Sequence, residues 1–469
     1  MGGDTRWFGP LDARILSLAA PALGTLAIDP LLGVVDTAFV GRLGAEELAG
    51  LAPANSVFTF AFLCFNFLSQ ATAPLVGQAL AAEDDARARK TAGQAITLAV
   101  VLGSACCVLL ETFGEPALAA VAGGAAGDGG VLEQSLGYLQ VRALGLPAVL
   151  VSNACGGVFR GLLDTRTPLK IALGANLVNF VLDPILIFGL PGAEGALGAG
   201  LGVRGAAAAT AVSEWAGAAW YLTELRRTQI GGPARLLEES GARLPSWDDV
   251  APLVRAGGAL ILRTSVLQAM LLLATAEVAH GPDGAIGVAA HQVSIQGWML
   301  LSFTMDSIAV AAQGLVAEAS GGRDIAMART IAGRALAYGL ALGVVAGGGL
   351  WCARGALIGG FTTDQDVGRL AESSLGWVAG MQPLNSVAFV GDGILSGAGD
   401  FGFMAAAMCC AAGGAGTAML GGVGSLTAVW QSLTVLQAGR CAGILARLLG
   451  AGGGPLAPVA QSGKTEGRG

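Results

Sequence analysis

The sequence predicts an all-α polytopic membrane protein, with twelve transmembrane helices in two six-helix lobes related by an internal parallel repeat. Three observations carry that prediction. Charged residues are only 13% of the 469 residues, against 54% hydrophobic, whereas soluble domains carry about 25% charge; mean hydropathy is +0.65. Apolar runs of about 20 residues, long enough to span hydrocarbon, recur along the chain. The two halves also resemble each other at a nearly constant offset.

The runs fall near 14–38, 48–76, 92–113, 133–161, 168–189 and 204–225, then near 251–278, 285–317, 331–352, 371–397, 402–424 and 427–449. The connections between them test that count, because basic residues collect on the cytoplasmic side. One alternating set carries Arg6 and Arg14, then Arg87, Arg89 and Lys90, then Arg160, Arg166 and Lys170. It continues with Arg226, Arg227, Arg235 and Arg243, with Arg323 and Arg329, and with Arg447 and Lys464. In the other set, 114–132 and 279–284 hold no base. Both termini are therefore expected in the cytoplasm, under a plasma membrane or a plastid envelope, which composition does not separate. The polar stretch 227–248 reads as a cytoplasmic linker between an N-lobe at 1–226 and a C-lobe at 249–450. Residues 451–469 read as a disordered cytoplasmic tail.

The repeat is visible as strings. GQALAAEDDARARKTAGQA at 77–95 pairs with QGLVAEASGGRDIAMARTIAGRA at 313–335, and GLLD at 161–164 pairs with GAGD at 397–400. Six spans per half give both halves the same orientation, and such repeats place a substrate cavity between two lobes. The 75 glycines let helix backbones approach closely in lipid. No basic stretch with interleaved aromatics exists, so nucleic-acid binding is excluded. The eight Cys form neither a CxxC nor a Cys/His cluster, so they read as small core residues, not as metal ligands. The partners expected are the bilayer and a small organic solute, bound by a monomer without a cofactor.

Chemistry enters with acids inside apolar runs. Asp29, Asp36 and Asp183 each stand where an ionised carboxylate costs roughly 2.5–3.5 kcal/mol even on a mild insertion scale. Asn179 lies one helical turn before Asp183 on the same face. Two carboxylates in one poorly hydrated cavity cannot both ionise cheaply. A proton or Na⁺ would neutralise Asp36 and Asp183, and span 1 could then repack at Pro21 or Pro30, which lack an amide donor. The matching places of the second half, near Ala274 and Gly421, hold no carboxylate, so one lobe does this work. Asp29 either caps a second helix beginning at Pro30 or contacts substrate or ion.

Other polar residues have weaker claims. Asp306 and Asp392 either line the C-lobe or pair with Arg263 or Arg142. Glu214 and Glu277 are expected to snorkel to water from span ends. His280 and His291 read as structural residues at span boundaries. The amides of Asn55, Asn66, Gln70, Asn153, Gln268, Gln292 and Gln296 are candidate cavity hydrogen-bonders; of these, Gln70, Asn153 and Gln292 join Asp29 and Asp306 as possible substrate or ion contacts. Gly200-Leu201-Gly202-Val203-Arg204-Gly205 fits GxGxxG, but no strand precedes it. Gly397-Ala398-Gly399-Asp400 fits the GxGD string of intramembrane aspartyl proteases. Those enzymes also need a Tyr-Asp pair, and Tyr138, Tyr221 and Tyr338 are followed by Leu, Leu and Gly.

The longer strings resemble the MATE (multidrug and toxic compound extrusion) transporters, of the DinF-like branch. They are Asp36-Thr37-Ala38-Phe39-Val40-Gly41, Phe159-Arg160-Gly161-Leu162-Leu163-Asp164-Thr165-Arg166-Thr167-Pro168, Asn179 to Pro184, Gly202 to Ala207, and Ala290-His291-Gln292-Val293. Ile28-Asp29-Pro30 and Ala45-Glu46-Glu47-Leu48-Ala49 resemble plant and algal members that export organic acids such as citrate. The resemblance implies an antiporter, not an enzyme, that exports drugs, organic cations or organic acids against H⁺ or Na⁺ by alternating access. Its coupling site would be Asp36, Asn179 and Asp183, with bending of span 1 at Pro21. The glutamate that another branch places early in span 7 is missing from LILRTSVLQAML. A lipid or oligosaccharide flippase of the wider superfamily is the alternative.

Overall fold

A computed structural model describes residues 9–122, 129–189, 200–231, 247–421, 425–450 and 454–456. Among these residues the regular structure is entirely helical. The N-lobe holds α1 (Pro10–Val40), α2 (Ala45–Phe65), α3 (Phe67–Ala81), α4 (Asp85–Ala122), α5 (Gly129–Ala143), α6 (Leu146–Gly161), α7 (Arg166–Phe188) and α8 (Val203–Leu225). The C-lobe holds α9 (Trp247–His280), α10 (Gly284–Gly321), α11 (Ile325–Phe361), α12 (Gln365–Gly380), α13 (Gln382–Gly397), α14 (Phe401–Leu420) and α15 (Leu426–Leu448). Joined across short breaks at Asn66, at Leu144–Gly145 and at Met381, they form twelve rods that follow the twelve apolar runs. Seven helices are long and apolar enough to cross a membrane by length and composition alone, or eight with the α5–α6 pair taken as one span. Leu177, Leu272, Val345 and Leu420 point outward, each more than half exposed, a surface suited to lipid. Most of the expected linker and tail falls outside the described residues.

Two of the breaks were not legible as hydropathy minima. The α5–α6 pair bends by 49°. Proline occupies the first turn of α6 (Pro147) and of α13 (Pro383), where its missing N–H costs nothing and its fixed φ starts a new helix. These prolines stand 236 residues apart by their numbers, the same offset that relates GLLD to GAGD. The duplication is therefore built into the bends as well as the strings.

The turns repeat too. Glu83, Leu163, Arg323 and Gly399 all have positive φ, at 58°, 58°, 58° and 79°. After each comes an aspartate whose N–H reaches back more than a full turn to close the helix: Asp84 to Ala79 at 3.0 Å, and Asp164 to Phe159, Asp324 to Ala319 and Asp400 to Leu395, each at 2.9 Å. This is the left-handed C-cap that satisfies orphan carbonyls. Three of the four aspartates then accept N–H bonds from the next helix: Asp84 from Arg87, Asp164 from Thr167, and Asp324 from Met327, each at 2.9 Å. The fourth, Asp400, instead accepts from Arg447 Nε at 2.7 Å. Its place in the GxGD string is thus structural.

The lobes meet mainly at one end, the one carrying the basic connections. There Ile15, Leu18 and Ala19 of α1 share an apolar cluster with Ile308, Ala311 and Leu315 of α10 and with Ile394 of α13. Arg14 pairs with Glu318 at 2.8 Å, Gln78 donates to the Gly397 carbonyl at 2.7 Å, and Gln313 donates to the Gln70 carbonyl at 3.1 Å. Leu456, only 2% exposed, wedges into the same cluster, and its carbonyl accepts from Arg329 Nη1 at 2.9 Å. Replacing Leu456 by Asp should therefore loosen this seal. Burial of a leucine contributes ~1.5–3 kcal/mol, so the thermal unfolding midpoint in detergent should fall by several degrees; an unchanged midpoint would show that the wedge contributes nothing.

Candidate functional site

Above the seal lies a cavity of about 900 Å³, lined by the N-lobe except for Phe303 and Val310 of α10. It was expected between the lobes; instead it is a bowl in one of them. It shares Asn55 and Thr59 with a smaller space of about 350 Å³, completed by Ser56, Phe60 and Gln268. That space joins α2 to α9 on the side away from the seal, and Phe60 is 71% exposed there.

The wall that matters is built by α1, α7 and α8. On α7, Ile171, Asn179, Asp183 and Ile187 are buried, a stripe at four-residue spacing that turns both polar groups inward. Gly205 allows α8 to close on the end of α7, since a Cβ there would stand 2.2 Å from the Leu186 carbonyl oxygen. This approach brings Thr210 of α8 to Asn179, with the two side chains 3.3 Å apart. Asp36 of α1 completes the group from the opposite side. Asp36, Asn179 and Asp183, singled out from the sequence, are neighbours in this wall.

Their roles differ. Asp36 and Asn179 line the cavity, whereas Asp183 has no exposed surface and lies behind them. Both Asp183 oxygens are fully buried without a hydrogen-bond partner among the described residues, beside the Asp36 carboxylate. Two ionised carboxylates that share one poorly hydrated site repel each other, so the pair is suited to holding a proton or a cation. Asn179 serves either state of Asp36. With its amide nitrogen toward Asp36 Oδ1, at 3.1 Å, it donates to a carboxylate. Turned about, its carbonyl accepts from a protonated one, and the nitrogen donates to Thr210 Oγ1.

A second charged group faces the same bowl. Arg142, in the last turn of α5, donates from Nη1 to Glu214 Oε1 of α8 at 2.6 Å. Its guanidinium lies over the Phe58 ring, 4.0 Å from the centroid. Arg160, also in the lining, donates to Ser69. Sequence reasoning missed the Arg142–Glu214 pair and set Glu214 near a span end. Glu214 in fact stands in the middle of α8, and mid-span position in both residues was the available signal. Arg142 is correspondingly not the partner of Asp306 or Asp392. Asp392 instead accepts from both Arg263 and Arg440, the latter at 2.6 Å.

The remaining expected contacts divide. Asn55, Asn66 and Asn153 line the bowl, and the Asn153 amide nitrogen is buried without an acceptor among the described residues. Gln70 and Gln292 are not in the lining: Gln70 contributes a backbone carbonyl to the seal, and Gln292 is exposed on α10. Asp306 lies half-buried between Phe303 and Val310 but does not itself line the bowl. His291 is fully buried against Trp430, with ring centroids 5.5 Å apart, inside α10 and not at its boundary. The Asp29 side chain lies outside the described residues. Because α1 runs unbroken through Pro21 and Pro30, Asp29 caps no second helix; the breaks fall in other spans. As a test of the layering, a hydrophobic carbodiimide, which reacts with protonated carboxyls, should modify Asp36 and spare Asp183 when read by peptide mass spectrometry. Modification of Asp183 alone would contradict the geometry.

Comparison with known proteins agrees with this architecture. The MatE family model matches residues 21–185 and 260–420. Protein DETOXIFICATION 44, chloroplastic, of Arabidopsis thaliana is 34% identical over 419 residues, covering 85% of this chain and 74% of that protein. DNA damage-inducible protein F of Escherichia coli (strain K12) is 29% identical over 316 residues, covering 67% of this chain and 64% of that protein. The probable multidrug resistance protein NorM of Thermotoga maritima is 25% identical over 319 residues, covering 66% and 63%. Among solved structures, a MATE crystal structure in the bent conformation aligns with a TM-score of 0.81 at 19% identity, covering 93% of this chain and 94% of that one. A transporter of the MOP superfamily from Pyrococcus furiosus aligns at 0.82, also at 19% identity, covering 93% and 95%. The chain belongs to the MATE family of membrane transporters.

Proposed function

We propose that this transporter is a secondary active antiporter that exports organic solutes in exchange for H⁺ or Na⁺, with Asp36, Asn179 and Asp183 as the coupling group. The observation that carries the reading is the buried position of Asp183, behind Asp36 and Asn179 in the wall of the bowl. Such a pair has no permanent counter-cation of its own and must be neutralised from outside. Relatives named for detoxification and multidrug resistance support efflux as the direction of transport. Since basic connections mark the cytoplasmic side, the sealed end is the cytoplasmic one. The bowl then opens outward, the state from which cargo leaves and the returning ion enters.

The lining favours a polar organic cargo. The amides of Asn55, Asn66 and Asn153 offer hydrogen bonds beside the faces of Tyr138, Tyr221 and Phe58. Of the two bases in the lining, Arg142 is paired with an acid, Glu214, and Arg160 donates to the neutral Ser69. One guanidinium without an acid is less positive charge than a flippase for anionic headgroups needs.

The test uses purified protein in liposomes, with imposed pH and Na⁺ gradients applied separately against panels of cationic dyes and organic acids. Asp36→Asn and Asp183→Asn keep the side-chain shape and remove the titratable group. Each should reduce gradient-driven transport to the level of empty vesicles while leaving the unfolding midpoint unchanged. Wild-type rates from both variants would end the proposal.

A further inference from the structure

Span 4 is bent where Glu214 enters it. A Cβ on Gly145 would stand 2.2 Å from Glu214 Oε2 and 3.4 Å from the Ala211 Cα, so the glycine makes room for the carboxylate. The next residue of α8 supports the same break, because Trp215 Nε1 donates to the Leu144 carbonyl at 3.1 Å. That carbonyl has no helical partner at the bend. Arg142 holds Glu214 from the α5 side at 2.6 Å. The 49° bend is thus fixed by one ion pair and one indole bond, and both come from α8.

The same guanidinium opens onto the cavity that holds the coupling group. Arg142, Tyr138, Glu214 and Asp36 line it together, and Arg142 and Arg160 are the bases of that lining. Arg142 Nε is buried without an acceptor among the described residues, so the guanidinium keeps a spare donor. The other charged or titratable groups around it are Asp183, reached through Asp36, Arg204 packed on Gly137, and Arg160 and Tyr221 farther along the lining.

We propose that Arg142 and Glu214 are positioning residues of the transport cycle, and that Arg142 exchanges partners between Glu214 and Asp36, so that loading of the carboxyl pair sets the bend of span 4. This rests on the coupling role proposed above for Asp36 and Asp183. While the pair holds a proton or cation, Asp36 competes weakly and Arg142 stays on Glu214, the arrangement seen here. When the pair is emptied it gains a negative charge in a dry cavity, and the guanidinium is drawn toward it. Glu214 then loses the ion pair that helps to hold it at Gly145, and α5 can straighten on α6.

Labels at the exposed positions Glu133, on α5, and Arg166, at the start of α7 just past the end of span 4, report the distance across span 4 by electron–electron distance measurement. Its two arms have 15 and 16 residues, so complete straightening of the bend lengthens the span by about 4 Å at 1.5 Å per residue. The distance should lengthen as pH rises in the wild-type background and stay at its acidic value with Asp36→Asn. If the distance ignores pH while Asp36→Asn abolishes transport, the hinge is overturned and the coupling role stands. If Asp36→Asn transports like the wild type, the coupling role itself has failed.

Two further variants separate positioning from plain stability. Glu214→Gln releases Arg142 toward Asp36 and should move the pH midpoint of transport toward acid by about 1 unit. The exchange Arg142→Glu with Glu214→Arg restores an ion pair at the bend but sets an acid toward Asp36. It should recover the unfolding midpoint without recovering the wild-type pH profile. Recovery of both would make the pair structural only and overturn the proposal.

Discussion

The structure turns on how buried charge is neutralised. In lipid, an acid without a compensating base costs several kcal/mol, and the two lobes meet that cost differently. The C-lobe gives Asp392 two guanidinium groups, Arg263 and Arg440, with Gln437 and Asn385 extending the network. That cluster is complete within the protein. The N-lobe leaves Asp36 and Asp183 facing each other, and assigns its nearby base, Arg142, to a different acid. One lobe therefore has more than enough base for its acid, while the other leaves a carboxyl pair without a base of its own. The duplication supplied two similar bundles, and the placement of arginines made them unlike.

This difference also explains what could be read from the sequence. The lobes, the repeat and the meeting of Asp36, Asn179 and Asp183 were legible, because hydropathy, offset and the cost of acid in lipid are local properties. The bends at Gly145 and Met381 were not. Proline at the start of a helix inside a continuing apolar run leaves hydropathy unchanged, so spans 4 and 10 read as single rods. The Arg142–Glu214 pair was missed because its members are 72 residues apart and join only through the packing of α5 on α8. Pro21 and Pro30 leave no break here, although a proline in a helix removes one hydrogen bond: α1 runs from Pro10 to Val40 through both.

The matched turns show how a duplicated fold keeps its shape while its chemistry diverges. Four helix ends at the sealed face use the same left-handed residue with an aspartate after it, and in three of them that position is not glycine. A non-glycine residue there costs roughly 1–2 kcal/mol, so the turn is imposed by the aspartate and the helix beyond it. In three cases the aspartate side chain accepts from the next helix, and in the fourth the Asp400 side chain anchors α15 through Arg447 instead. These turns lie far from the acid pair, beside the contacts that hold the lobes together.

The acid pair and the seal nevertheless share one helix. Helix α1 carries Asp36 near one end and Arg14, Ile15 and Leu18 near the other, in an unbroken helix of 31 residues, about 46 Å long at 1.5 Å per residue. It packs against α7 beside the pair and against α10 at the seal. On the coupling role proposed above, a shift of α1 at Asp36 would be carried along this continuous helix toward the cluster containing Leu456. A helix broken at Pro30 would offer no such path between the pair and the seal.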